Sequence, residues 1–191
     1  MKISQQIVGV NQRLGNTAVP NMQGTTRYIF DSVTLANVTS QTITLFSNVQ
    51  SRPYPASNLS SNKFEVGESL AITGISWGMI TALSTTGVIR PNLNTSANVT
   101  NTLNFNFYIG NQRVIKDLDL NYGRFGIGEA YSSSFAKNVL QFETPIVIPP
   151  QIEFYATCTI TTSSAGGGPS GNPFFIGLFG QGTLLNTKSN F

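Results

Sequence analysis

The segment that most constrains the fold is residues 103–115, which contain two strand patterns separated by two residues. Apolar and polar residues alternate along residues 103–109, and this is the two-residue period of a strand with one buried face. Gly110 and Asn111 follow, and a glycine in the first position suits a type II′ hairpin turn. The sequence therefore predicts a half-buried antiparallel hairpin whose second strand resumes at Gln112.

Runs of β-branched and aromatic residues recur at short spacing elsewhere in the chain, and such runs favour strands. With the hairpin they give about eight strands, the others over residues 27–35, 41–46, 68–80, 139–142, 152–162 and 174–179. Pro145, Pro149 and Pro150 cannot donate to a sheet ladder, so they mark a strand edge or a crossover. Residues 128–138 are the one helix candidate.

The apolar phase changes inside the third predicted strand. Leu70 and Ile72 occupy even positions, whereas the next apolar residues, from Ile75 to Met79, occupy odd positions. Because the side-chain period of a strand is two, the register must slip by one residue between them. Gly74 lies at the slip, so we predict one long strand with a β-bulge near Gly74.

Many short strands with Gly- and Pro-rich turns indicate a sandwich or a barrel, and eight strands in two packed sheets is the jelly-roll count. The predicted fold is therefore all-β, an eight-stranded antiparallel jelly-roll sandwich. Residues 1–25 are polar, nearly uncharged and rich in Gln, Asn and Gly, so we expect an extended N-terminal arm there. Residues 26–191 are expected to form the single jelly-roll domain.

Charge is scarce, since only 19 of 191 residues are Lys, Arg, Asp or Glu and histidine is absent. Ser, Thr and Asn supply 59 residues instead. Neutral hydrogen-bonding groups cost less to desolvate than charges do, so such a surface suits burial against neighbouring copies or sugars. The basic residues are scattered with no two adjacent, so the sequence predicts no specific nucleic-acid site.

The sequence offers little material for catalysis. Without histidine, a Cys–His nucleophile cannot exist within one chain. Cys158 lies in an apolar, β-branched run, where it is expected to be a small buried hydrophobe. Residues 166–171 and 123–128 are rich in glycine but lack the lysine of a phosphate-binding loop, so we interpret residues 166–171 as a flexible connector.

Two pairs of carboxylates are the remaining candidates for chemistry, Asp117 with Asp119 and Glu65 with Glu68. Paired acids can serve glycoside hydrolysis or bind calcium. The segment around Asp117 lacks the glycine and terminal glutamate of a calcium loop, so we favour solvated strand-face acids, with Asp117 and Asp119 able to face Arg113 or Lys116. We therefore predict a non-enzymatic protein with no catalytic, cofactor-binding or metal-binding residues. An enzyme would have to use carboxylates such as Asp117 with Asp119.

Export and membrane signals are not expected either. Residues 1–10 lack the apolar core of a signal peptide, and no run approaches the length of a transmembrane segment. The four glycosylation sequons match the number expected by chance and carry no prediction without such a signal; they lie at Asn37, Asn58, Asn94 and Asn98. We expect the chain to fold in a cytoplasm.

Several aromatic residues fall in loop-like stretches, where they suit either sugar stacking and interface anchoring or ordinary packing. They are Tyr54, Tyr122, Phe125 and Tyr131. Phe191 follows a polar stretch and is a further candidate for docking into a neighbouring molecule.

Residues 105–114, 143–154 and 174–179 together resemble single jelly-roll capsid proteins of viruses and bacteriophages. The likeness is one of pattern and spans roughly residues 26–185. The resemblance implies a virion structural protein that is made in the host cytoplasm. Such a protein would form a homo-oligomer, a trimer or pentamer, and would also contact other capsid proteins. Its terminal arms would tie neighbouring subunits together. The alternative is a carbohydrate- or receptor-binding β-sandwich module of a fibre or adhesin, with a glycan as its ligand.

Overall fold

The computed structural model describes residues 22–36, 38–79, 102–120, 139–161 and 173–185. In these ranges the chain is all-β, as predicted, with a short 3-10 turn at Val49–Ser51. The strands are β1 (Met22–Thr34), β2 (Ser40–Leu45), β3 (Ser69–Met79), β4 (Thr102–Ile109), β5 (Gln112–Asp119), β6 (Val139–Ile148), β7 (Phe154–Thr161) and β8 (Pro173–Leu185). Within the same ranges, no helix has the length and apolar character needed to cross a membrane.

The eight strands form two antiparallel sheets of four. The first sheet has the order β1-β8-β3-β6 and the second has the order β2-β7-β4-β5. Four of the pairings are nested along the chain: β1 with β8, β2 with β7, β3 with β6, and β4 with β5. Two further pairings, β3 with β8 and β4 with β7, complete the sheets. The result is a β-sandwich.

The core lies between the inner faces of the two sheets. Along β7 a buried residue alternates with a half-buried one, which is the pattern of a strand with one face against the core. The alternation predicted for β4 is confirmed, because Leu103, Phe105 and Phe107 are buried and Ile109 packs against the same cluster. The largest fully buried side chains come from both sheets and include Trp77, Phe46, Phe105, Phe107, Phe154 and Phe174.

The predicted bulge in β3 is confirmed. The pairing of β3 with both of its neighbours shifts register between Ile72 and Gly74. Leu70 and Ile72 before the shift and Ile75 and Trp77 after it all lie in the core. The bulge thus lets one strand keep apolar side chains inward although their spacing changes phase.

The β4–β5 hairpin is confirmed with Gly110 and Asn111 as its two turn residues. Gly110 has φ of 56°, the left-handed value that the first position of a type II′ turn requires. The register of β5 against β4 shifts twice beyond the turn, and Asp117 has φ of 49°. The sequence did not predict these shifts, because β5 is mostly exposed and has no apolar phase to reveal them.

Strands β1, β6 and β8 are longer than predicted, and β6 continues from the predicted residues 139–142 to Ile148. β1 begins at Met22, so residues 22–25 belong to a strand and not to the arm predicted over residues 1–25. β8 continues past residue 179 to Leu185 and pairs there with the start of β1. In the sequence, the glycines after residue 179 resemble the end of a strand. In the structure they permit close approach, since a Cβ on Gly180 would overlap the carbonyl of Ala71 in β3.

The proline prediction is confirmed in part by the position of β6. This strand lies at the edge of the first sheet and contains Pro145, which is where a residue without an N–H is tolerated. Pro149 and Pro150 follow the strand, and Pro150 forms an isolated bridge with Phe64. The helix predicted over residues 128–138 and both glycine-rich segments lie outside the described residues.

We expect Gly180→Ala to lower the free energy of unfolding by about 1–3 kcal/mol, because the new methyl group would press on the backbone of β3. The matched control is Gly24→Ala in β1, where a Cβ would meet nothing within 4 Å. That control should stay within about 1 kcal/mol of the parent, on the stable side if it changes. Urea unfolding of the three proteins measures the difference, and equal stabilities of the two variants would contradict the close packing of β8 on β3.

Candidate binding face

The outer face of the first sheet carries aromatic side chains where a solvent face would ordinarily be polar. Tyr28 and Phe30 in β1 alternate with the buried Ile29, and Phe175 and Phe179 alternate with core residues of β8. Tyr54 joins them from the loop after β2. We call these five residues the aromatic face. Tyr28 is 44% exposed and Tyr54 is 75% exposed, so the face opens to solvent.

Two of these rings lie over glycines of the neighbouring strand. A Cβ on Gly177 would overlap the ring and hydroxyl of Tyr28, and a Cβ on Gly74 would overlap the ring of Phe179. The missing side chains therefore let both rings lie down against the sheet. The hydroxyl oxygen of Tyr28 lies 3.3 Å from Ser76 Oγ.

Tyr28, Phe30 and Tyr54 form a continuous row of rings. The ring centroids of Tyr28 and Phe30 are 5.9 Å apart. Tyr54 meets Phe30 edge-on, with centroids 6.5 Å apart and ring planes at 68°. Both separations fall in the range of favourable aromatic pairs, so Phe30 joins the two exposed tyrosines.

Residues 52–58, which we call the anchoring loop, hold Tyr54 in this position. Asn58 binds the free edge of β1 as a neighbouring strand would. Its Oδ1 accepts from the Phe30 N–H at 2.8 Å, and its Nδ2 donates to the Tyr28 carbonyl at 2.8 Å. The Ser57 hydroxyl donates to the Phe30 carbonyl at 3.0 Å. Both polar atoms of the Asn58 side-chain amide, the sequon residue, therefore form hydrogen bonds to β1.

A buried carboxylate fixes the start of the anchoring loop. Asp31 in β1 is fully buried and accepts from both Nε and Nη2 of Arg52, at 2.9 and 2.5 Å. It also accepts from the N–H groups of Ser32 (3.0 Å) and Phe46 (2.6 Å), and Arg52 Nη2 donates to the Ser47 carbonyl at 2.6 Å. A bidentate, charge-assisted pair of this kind is strong and directional. It joins β1 of the first sheet to the chain leaving β2 of the second.

The outer face of the second sheet has a different chemistry. Threonines and asparagines cover it, and we call Thr42, Thr44, Thr157, Thr159, Asn104 and Asn106 the threonine face. The hydroxyls of Thr42 and Thr159 are 2.9 Å apart, and Asn106 Nδ2 donates to Asn104 Oδ1 at 2.9 Å. Beside them the rings of Tyr108 and Tyr155 stack with centroids 4.6 Å apart. This surface is rich in neutral hydrogen-bonding groups, and its charges lie at the β5 edge, where Arg113 and Asp119 stand opposite Tyr108 and Asn104.

Two of the four acids singled out from the sequence, Asp117 and Glu68, contact arginines. Asp117 Oδ2 lies 3.6 Å from Arg113 Nη1, and its side chain is 62% exposed, so the prediction of a solvated acid facing Arg113 is confirmed for Asp117. Glu68 forms a 3.0 Å ion pair with Arg27, whose guanidinium lies 4.4 Å from the centre of the Phe64 ring. Within the described ranges, no group of three or more His, Cys, Asp or Glu residues is placed to hold a metal ion.

Cys158 is fully buried in β7, and this burial raises the pKa of its thiol to about 12. The thiol therefore stays protonated and unreactive near neutral pH, which confirms the prediction of a small buried hydrophobe. Other residues singled out from the sequence lie outside the described part of the chain: Asn37, Asn94, Asn98, Tyr122, Phe125, Tyr131 and Phe191.

Sequence reasoning found Tyr54 but missed most of the aromatic face. The sequence assigns Tyr28 and Phe30 only to a strand. Because Ile29 lies between them, this strand has apolar or aromatic residues on both faces, and that pattern could have indicated an aromatic outer face. The contact between Asp31 and Arg52 had no signal, since 20 residues separate them in the sequence.

No protein-family model matches the chain, and no match is found among curated proteins or among solved structures. The geometry described above is therefore the basis on which a function is assigned.

We expect Arg52→Ala to lower the free energy of unfolding by about 3–5 kcal/mol, because it would leave the Asp31 carboxylate buried without its ionic partner. Arg113→Ala is the matched control, since it removes an arginine from an exposed aspartate and should cost no more than about 1 kcal/mol. Chemical unfolding followed by tryptophan fluorescence measures both. Similar losses in the two variants would contradict a stabilising role specific to the buried pair.

Proposed function

We propose that the sandwich is a jelly roll and that the protein is a non-enzymatic structural subunit of a virion. The strand pairing is the observation that carries this proposal. β1 pairs with β8, β2 with β7, β3 with β6 and β4 with β5, so the pairs are nested along the chain. The β3–β8 and β4–β7 pairings then join these four pairs into two sheets. Two Greek keys of this kind are what a jelly roll consists of, and the architecture is common in viral capsid domains.

Because a fold alone does not establish a function, the surface chemistry is the second support. The threonine face carries neutral hydrogen-bonding side chains. On the first sheet, the residues that pair across the strands in line with Tyr28 and Phe30 are all uncharged. The core of a protein–protein interface is depleted of charged residues and enriched in aromatic ones. The threonine face therefore suits burial against a neighbouring subunit, and the uncharged aromatic face suits contact with a binding partner.

The strand edges favour assembly through faces and not through added strands. β1, β6, β2 and β5 are the four edge strands of the described sheets. Asn58 and Ser57 cover part of β1, Pro145 interrupts the ladder of β6, β2 has only six residues, and β5 is bulged. These are the devices that natural sheets use against edge-to-edge pairing.

The chain on either side of the sandwich is suited to tying neighbours together. Met22 pairs with Leu185, so the start of β1 and the end of β8 lie side by side. Lys2 and Arg13 are the only charged residues among residues 1–21.

The proposed assembly is a symmetric homo-oligomer, a trimer or pentamer, that joins other capsid proteins in a shell or vertex. Rings of this kind form when one face of a subunit contacts a different face of the next and the rotation closes. The threonine face of one subunit, set against a different surface of the next, is suited to such a contact.

We expect the purified full chain to form a discrete oligomer, and a variant lacking residues 1–21 to lose that oligomer while keeping its melting temperature, because β1 begins at Met22. Mass photometry and negative-stain microscopy measure the assembly. A variant with residues 1–21 replaced by a Gly/Ser segment of equal length separates the effect of sequence from that of length. A full chain that remains monomeric at high concentration would contradict the proposal, as would a deletion that leaves the oligomer intact.

A further inference from the structure

The aromatic face has the geometry of an open platform as well as that of a contact surface. The ring and hydroxyl of Tyr28 occupy the space beside Gly177 where a side chain would otherwise lie, and 44% of the residue is exposed. Tyr54, at 75% exposed, is held beside it through Phe30. An aromatic ring that is largely solvated but firmly positioned is unusual, since loop residues without a role are ordinarily mobile.

The charge of this surface limits the class of ligand. Two rows of outward positions cross the first sheet, Tyr28-Phe179-Gly74-Gln141 and Phe30-Gly177-Ser76-Val139. None of these residues is charged, so the surface offers no counter-charge to the phosphates of a nucleic acid or to an acidic peptide. An extended peptide strand is also disfavoured, because Asn58 already occupies the backbone groups of β1 near Tyr28.

Hydroxyl groups border the rings. Tyr28 OH and Ser76 Oγ lie 3.3 Å apart, and each hydroxyl has one donor and two acceptor sites, so the pair retains capacity for further hydrogen bonds. A pyranose ring presents a flat face of C–H bonds surrounded by hydroxyls, which matches an aromatic ring bordered by hydroxyls. We propose that the aromatic face binds a neutral glycan, with sugar rings stacked on Tyr28 and Tyr54.

The anchoring loop makes this site preorganised. Arg52 is fixed by Asp31 at one end of the loop, and the Ala56 carbonyl accepts from the Ser32 hydroxyl at 2.8 Å near the other. Asn58 completes the attachment to β1. Binding therefore need not order the loop, and avoiding that entropic loss favours affinity. The proposal does not depend on assembly into a capsid.

The test uses saturation-transfer NMR on the full chain, which observes the ligand and works for large assemblies. The probes are cellotetraose, tetra-N-acetylchitotetraose and mannotetraose. We expect at least one probe to receive transfer, with the strongest signals from the ring protons on one face of the sugar. Tyr54→Ala should weaken binding of that probe by about tenfold or more, whereas Tyr54→Phe should keep it within about threefold, since the stacking ring is retained.

Gly177→Ala is a second variant, because its methyl group would displace the Tyr28 ring; it should weaken binding without removing any contact residue. Tyr108→Ala on the opposite sheet is the control and should leave binding unchanged. Absence of transfer to all three probes would overturn the proposal, and so would loss of binding in Tyr108→Ala alone. A change of native mass in Tyr54→Ala without any effect on sugar binding would instead assign the aromatic face to a second copy of the chain.

Discussion

Both the sandwich and its candidate site depend on the ion pair between the buried carboxylate of Asp31 and Arg52. Asp31 is the one charged residue that is fully buried in the described part of the chain, and four hydrogen bonds converge on it. Through Phe46 it fixes the chain as it leaves the second sheet, and through Arg52 it fixes the loop that returns along β1. A buried charge demands such partners, so this corner of the fold is strongly specified.

The two-residue period of side chains along a strand explains why the outer faces of the two sheets differ in chemistry. Alternate residues of β4, β7 and β8 enter the shared core, so the remaining residues decide what each sheet presents outward. In the first sheet these are aromatic rings lying over glycines, and in the second they are threonines and asparagines. The threonine face suits contact between subunits and the aromatic face suits stacking on a sugar, and the anchoring loop holds Tyr54 beside the edge of β1.

Much of this architecture was predictable from local patterns, and the parts that were not depend on contacts between distant segments. Alternation revealed the β4–β5 hairpin, and a change of phase revealed the bulge at Gly74. The extension of β8 was hidden because Gly180 resembles a strand end until β3 is placed against it. The pairing that joins Tyr28 to Gly177, and the ion pair of Asp31 with Arg52, required the fold itself.

Native-state hydrogen exchange of Arg52→Gln tests most directly whether Asp31 and Arg52 organise this corner. The informative amides are those of Phe46, which donates to Asp31, and Phe30, which donates to Asn58. We predict that both exchange about tenfold faster or more in the variant and stay less protected than the amides of β4 and β7, because this corner opens locally before the whole fold does. Unchanged exchange at Phe46 and Phe30, or protection at these two amides equal to that of β4 and β7, would contradict the account.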